Sequence, residues 1–354
     1  MRASPLARLL FGVYALLVVY ATLYPLSGWR EHGLSPFAYL SAPWPAYVTR
    51  FDIVVNVLGY VPLGFFGMLA VVPRTGGPLA LALVLAGSGL LSLGLEAAQA
   101  YLPARIPTKV DVLTNLSGAA AGALGGLLLA PWLLEHGPLK RLRATAFRPG
   151  ARIDVGLVLI GLWLFTQLNP ATLLFGLGDL RDLVADAASE PRAPGFFLSI
   201  EAFVAAANLV VVALLLSLLM DRPPGIVRAA VTALVASALA LKTGAFALMR
   251  ADAFVWLTPG ALGGLAVGLP AALLALALPR TARLVLAAVL VMAAAVLVNV
   301  APANPYFTAT LRAWHQGHFL HFNGLTRLVS LLWPFATLGY LMVLAAPGSR
   351  DPGR

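Results

Sequence analysis

Apolar residues run along this chain in stretches of about twenty, separated by short polar segments, instead of the one-sided spacing of a helix that faces water. A bilayer core about 30 Å thick asks for about 20 apolar residues per helix. That ruler predicts ten spans, over residues 9–26, 53–72, 79–100, 111–131, 155–175, 197–220, 229–249, 256–278, 284–300 and 328–346. The expected fold class is therefore all-α, a polytopic transmembrane helix bundle. The first stretch, LARLLFGVYALLVVYATLYPL, carries the basic flank of a signal peptide in Arg2 and Arg8. It outruns a signal-peptide core and lacks a small-residue cleavage site, so it reads as a retained span.

Composition agrees with that pattern. Of 354 residues 60% are hydrophobic and 11% charged, whereas a soluble domain carries about a quarter charged residues. The absence of cysteine excludes disulfides, thiolate metal sites and thiol nucleophiles. A net charge of +10 would suggest nucleic acid in a soluble domain, but its distribution points elsewhere. With the N-terminus cytoplasmic, the inner segments hold 14 of the 24 basic residues and four of the 14 acids. KRLRATAFRPGAR falls in one inner loop and DLRDLVADAASE in an outer one. The positive-inside rule thus predicts that both termini lie on the cytoplasmic side, with the excess charge facing anionic inner-leaflet lipid, not nucleic acid.

The spans also repeat. The first and fifth end in proline (Pro25, Pro170), Asn208 of the sixth echoes Asn56 of the second, and Gly118, Gly122 and Gly126 of the fourth match Gly260, Gly264 and Gly268 of the eighth. A four-helix offset keeps orientation, so the expectation is a parallel duplication. It gives a four-helix unit over 1–131, a basic cytoplasmic loop over 132–154, a degenerate second unit over 155–278 and two terminal helices over 279–354. Small residues at four-residue spacing favour close helix packing.

Against this background the polar residues of the first unit stand out. Asp52 and Asn56 open the second span, Glu96 and Gln99 close the third, and Asp111 and Asn115 open the fourth. Each pair is spaced three or four residues apart and so shares one helix face. All six fall at the outer end of their helices, and the loop YLPARIPTKV between two of them adds Arg105 and Lys109. An intramembrane carboxylate is costly unless paired or wetted. One reading is structural: Glu96 paired with Arg105 or Lys109, with Gln99 and Asn115 as interhelical glue. The other is a pocket in which Arg105 and Lys109 hold a phosphate or carboxylate, Glu96 and Asp111 serve as the candidate catalytic acid and base, and Asp52, Asn56, Gln99 and Asn115 bind and orient the ligand.

Elsewhere the signals are weaker. Lys242 lies about two turns below the outer surface of the seventh span and is expected to snorkel, with pairing to Glu96 as the alternative. His315, His318 and His321 recur at three-residue spacing among Trp314, Phe319 and Phe322, which reads as an interfacial amphipathic segment in preference to a metal site. Asp179, Asp182, Asp186 and Glu190 read as a solvated loop. With no Walker loop, dinucleotide loop or nucleophile elbow in the sequence, no cofactor and no metal are expected.

The motif E-x-x-Q, a proline and an arginine in a short loop, then D-x-x-x-N-x-x-G-x-x-x-G, preceded by D-x-x-x-N and P-x-G, resembles the VanZ-like family, named after an accessory protein of teicoplanin resistance. The residues that carry the resemblance are Asp52, Asn56, Pro62, Gly64, Glu96, Gln99, Arg105, Asp111, Asn115, Gly118 and Gly122, within a segment of about residues 9–131. Thr108 stands near the place where many members have a further aspartate. The resemblance implies a bacterial envelope membrane protein, and some members lower susceptibility to glycopeptide antibiotics. It supplies no reaction.

Three readings follow. The first is an inner-membrane protein whose outward-facing polar pocket binds or acts on an amphiphilic, lipid or lipid-linked envelope molecule. The second is a secondary transporter or flippase, for which a midplane site would be expected. The third is an envelope scaffold without a small-molecule site. The sequence leaves open whether the protein is an enzyme.

Overall fold

Threonine, serine and proline punctuate the helix starts. In the computed structural model, which describes residues 4–31, 33, 35–45, 47–103, 105–169, 172–181, 193–248, 252–302, 304 and 320–346, the Ser4, Thr49, Thr108 and Thr258 hydroxyls each accept a hydrogen bond from the backbone amide three residues on. These are N-caps that satisfy donors a helix start leaves open. Proline, whose missing N–H costs nothing in a first turn, stands in the first turn of two of these helices and of two others. No strand is present among the described residues. The chain divides into two units, Met1–Thr145 and Ala146–Arg354.

The first unit contains α1 (Pro5–Leu23), the short α2 (Ala38–Ser41), α3 (Arg50–Thr75), α4 (Gly77–Gln99) and α5 (Lys109–Ala130), followed by a π-helical turn (Pro131–His136) and α6 (Pro138–Ala146). Helices α3 and α4 reverse at Gly76, whose φ of 80° suits a residue without a Cβ. The closest packing is between α3 and α5. A Cβ on Gly118 or Gly122 of α5 would overlap the carbonyl of Val57 or Val61, and one on Gly64 of α3 would overlap that of Ala119. The two backbones therefore touch, as the glycine spacing predicts.

The second unit contains α7 (Ala151–Thr166), α8 (Pro194–Leu219), α9 (Pro224–Leu248), α10 (Pro259–Ala275), α11 (Arg280–Val300) and α12 (Leu320–Ala345). Helix α8 is its axis, buried over most of its length and packed by α7, α9, α10 and α11. Gly264 and Gly268 of α10 lie against Ala202, Ala205 and Ala206 of α8. The terminal helices α11 and α12 belong to the same packing, with α12 also against α7. A buried acid that the polar pattern did not single out, Glu201 of α8, accepts from the Thr258 hydroxyl at 2.5 Å.

Each of the ten predicted spans coincides with a helix, and eight of these are long and apolar enough to cross a membrane. The exceptions are α7, with 16 residues, and α10, with 17. Helix α7 ends at Thr166 because Pro170 follows closely and disfavours helical backbone before it. Helix α10 starts late because Thr258 and Pro259 fix its first turn.

Lys242 corrects an expectation. It does not snorkel: it is fully buried, and its Nζ donates to the Asn169 carbonyl at 2.6 Å, the Thr172 carbonyl at 2.8 Å and the Thr172 hydroxyl at 3.2 Å. The backbone just beyond α7 offers acceptors that no longer serve a helix, and they replace both solvent and the alternative partner Glu96. Asp179 is exposed, as the solvated reading expects, and both its oxygens accept from the Arg181 guanidinium, at 2.9 and 2.6 Å. Partial burial alone would raise its pKa, but those bonds hold it below the ordinary carboxylate value. Asp182, Asp186, Glu190, Trp314, His315, His318 and Phe319 lie outside the described residues, as do the side chains of His321 and Phe322.

Candidate functional site

The predicted polar residues gather at the end of the first unit where α1 and α4 finish and α3 and α5 begin. Glu96, in the last turn of α4 and 3% exposed, accepts the backbone amide of Thr108 on Oε2 at 2.9 Å. The hydroxyl of the same threonine accepts the Asp111 amide at 3.1 Å, capping α5. Asp111 in turn accepts on Oδ1 from Asn56 Nδ2 of α3 at 2.7 Å. Three helices are thus joined through a chain of Glu96, Thr108, Asp111 and Asn56. Replacing Thr108 by valine keeps the amide that serves Glu96 but removes the cap, so it should cost about 1 kcal/mol, read as a lower melting temperature with little loss of activity.

Below this chain Asn115 donates to Ser92 of α4 at 3.0 Å, and Gln99 donates to the Thr22 carbonyl of α1 at 2.9 Å. Both make the interhelical bonds that the structural reading gives them. Asn115 Oδ1 is buried and has no hydrogen-bond partner among the described residues. Asp52 is exposed and accepts from the Thr49 hydroxyl at 2.5 Å. It belongs to the cap of α3.

The two cations part company. Arg105 donates to the carbonyls of Ala21 and Tyr24 at 3.2 and 3.1 Å, which ties the α4–α5 loop to the end of α1. Burial lowers its pKa, while Glu96 and then Asp111 act to raise it. Lys109 instead donates to the Ala42 carbonyl at 2.6 Å and lies 4.6 Å from the centre of the Trp44 ring. Beside Arg105 a cleft of about 400 Å³ is lined by Arg30, Ser35, Tyr39, Tyr101 and Pro107 among others. Burial, and next the charge of Glu96, raises the pKa of the Tyr39 phenol.

Several of these residues escaped the sequence reading for identifiable reasons. Ser92 sits one turn before Glu96 on the same face of α4, a signal that spacing alone would have found. Arg30 and Tyr39 come from the irregular α1–α3 connection, where no period reports which side chains turn inward. Among the described residues no group of three or more His, Asp or Glu side chains is placed to hold a metal ion.

This constellation of acids, amides and glycines on α3, α4 and α5 is the one that carried the family resemblance. Residues 11–130 match the VanZ/LLP1 family model. The VanZ-like segment is about a third of the chain and ends where α5 ends. Comparison with curated proteins and with solved structures found no match. The protein is accordingly a multi-pass membrane protein with a VanZ-like segment at its first four long helices.

Proposed function

We propose that the protein resides in a bacterial cytoplasmic membrane with both termini inside, and that the polar end of the VanZ-like segment faces outward and engages an amphiphilic cell-envelope molecule. The bias of Lys and Arg toward the inner segments supports that orientation. The observation that carries the reading is the link through Thr108, which holds two carboxylates, Glu96 and Asp111, in one network at the end of the bundle. A purely structural pair would be expected to neutralise one acid with one cation. Here Lys109 is engaged by Ala42, the Asp111 carboxylate is held by an uncharged amide, and Arg105, whose charge acts on both acids, hydrogen-bonds to the Ala21 and Tyr24 carbonyls. Glu96 and Asp111 are the pair suited to carrying a proton, Asn56 orients Asp111, and Arg105 supplies positive charge next to the cleft.

The test compares extracted envelope lipids and wall fragments from cells with the wild-type protein, none, or Glu96→Gln, with a thermal-unfolding check on the purified variant. Glutamine still accepts the Thr108 amide but cannot carry the charge or exchange the proton. The expected result is a folded variant whose cells match the null strain in one lipid or wall species, with any effect on glycopeptide susceptibility lost in parallel. A folded variant indistinguishable from wild type would make Glu96 structural and leave the scaffold reading in its place.

A further inference from the structure

We infer that the cleft beside Arg105 takes the anionic headgroup of a membrane lipid, which enters from the bilayer across the aromatic α1–α3 connection. This rests on the reading of an amphiphilic ligand and names its chemistry. The charged side chains on the cleft wall are Arg30 and Arg105, and no carboxylate lines it among the described residues. Glu96 and Asp111 stand behind the wall, bonded to Thr108 and Asn56. Of the polar remainder, Ser35 and Tyr101 are of the kind that donates to phosphate oxygens, while the Tyr39 hydroxyl is spent on the Leu93 carbonyl at 3.2 Å.

The second observation concerns the surroundings of the cleft. Trp29, Phe37, Trp44, Tyr47 and Ile106 are 47%, 51%, 62%, 83% and 83% exposed, and all lie on the two connections that enclose it. The Arg30 amide donates to the Tyr101 carbonyl at 3.0 Å, which fastens one connection to the other. Such a concentration of large apolar side chains would be a liability in water. At the end of a set of membrane spans it is the composition of the headgroup layer, where tryptophan and tyrosine seat with basic residues beside them. Trp29 satisfies its indole N–H internally on the Leu26 carbonyl, and Trp44 carries the Lys109 ammonium over its ring. About 400 Å³ accommodates a headgroup and not a whole lipid, so the acyl chains would remain outside, against this aromatic surface.

The experiment uses the purified full chain in detergent, offered equal amounts of phosphatidylglycerol and phosphatidylcholine, with retained lipid counted by native mass spectrometry. Wild type should prefer phosphatidylglycerol, and Arg30→Gln, which alters an exposed side chain, should lower that preference about fivefold, the effect of one basic residue at an anionic lipid surface. Trp44→Ser should weaken retention of both lipids without changing their ratio. Inorganic phosphate at millimolar concentration should not displace the lipid. Equal retention of the two lipids by wild type, an unchanged ratio in Arg30→Gln, or displacement by phosphate alone would each overturn the inference. None of these arms touches Glu96. Failure here with a null-like Glu96→Gln strain would remove the lipid assignment and leave the proposed function standing, and the reverse pattern would do the opposite.

Discussion

Replacing Gly122 by leucine is expected to abolish the folded first unit, and replacing it by alanine should already cost about 3 kcal/mol, the upper end for overpacking a tight contact. A Cβ at this position overlaps the Val61 carbonyl and comes within 2.9 Å of the Phe65 amide nitrogen. Those are backbone atoms of α3, with no rotamer to turn away, so the helices must separate. Gly125 provides the control: its Cβ would meet only the Phe65 ring at 4.0 Å, and alanine there should be neutral or stabilise by up to about 1 kcal/mol through helix propensity. The measurement is thermal unfolding of the full chain in detergent. If Gly122→Ala melts with wild type, the close α3–α5 contact is wrong. The same substitution should disable the site, because Asn56 and Asp111 bond across that interface at 2.7 Å and any added separation breaks the bond.

Much of this was legible before any coordinates. Runs of about twenty apolar residues located the helices because bilayer thickness leaves little choice of length. The glycines of α5 announced a close helix contact, since small residues are what lets backbones touch in lipid. The grouping of Asp52, Asn56, Glu96, Gln99, Asp111 and Asn115 at one end of the first unit followed from their positions relative to the spans. What periodicity could not report is which atom satisfies which. Glu96 is met by a backbone amide, Arg105 and Lys109 by carbonyls, and every chain offers such groups at every residue. Only the places where helices end decide which of them are free.

That limit explains the errors as well as the omissions. The α1–α3 connection contributes Arg30 and Tyr39 to the cleft wall, yet it holds only the four-residue α2, so no face could be assigned to its side chains. Thr108 shows the same principle from the other side. Where the family resemblance leads one to expect an acid, this chain has a hydroxyl that caps α5 while its amide holds Glu96. The bond to Glu96 comes from the backbone, so the side chain at this position can vary without breaking it. The acids therefore depend on the fold of the α4–α5 loop more than on its composition.

The second unit offers the other large effect. Lys242→Ala should cost about 3–5 kcal/mol, combining a large-to-small cavity with the loss of a donor to two buried carbonyls. Lys242→Met should cost about 2 kcal/mol less, because methionine fills most of the volume and brings no ion to desolvate. The ammonium makes three bonds, to the Asn169 carbonyl and to the carbonyl and hydroxyl of Thr172. They use all three of its donors, so the lysine clamps α9 to the chain just beyond α7 through hydrogen bonds. Differential scanning fluorimetry of the three proteins in one detergent separates the contributions. Alanine and methionine melting together would mean that volume does not matter and that the bonds to the carbonyls carry the whole effect. Alanine melting with wild type would mean that Lys242 is not clamped there at all, and the buried geometry would fall with it.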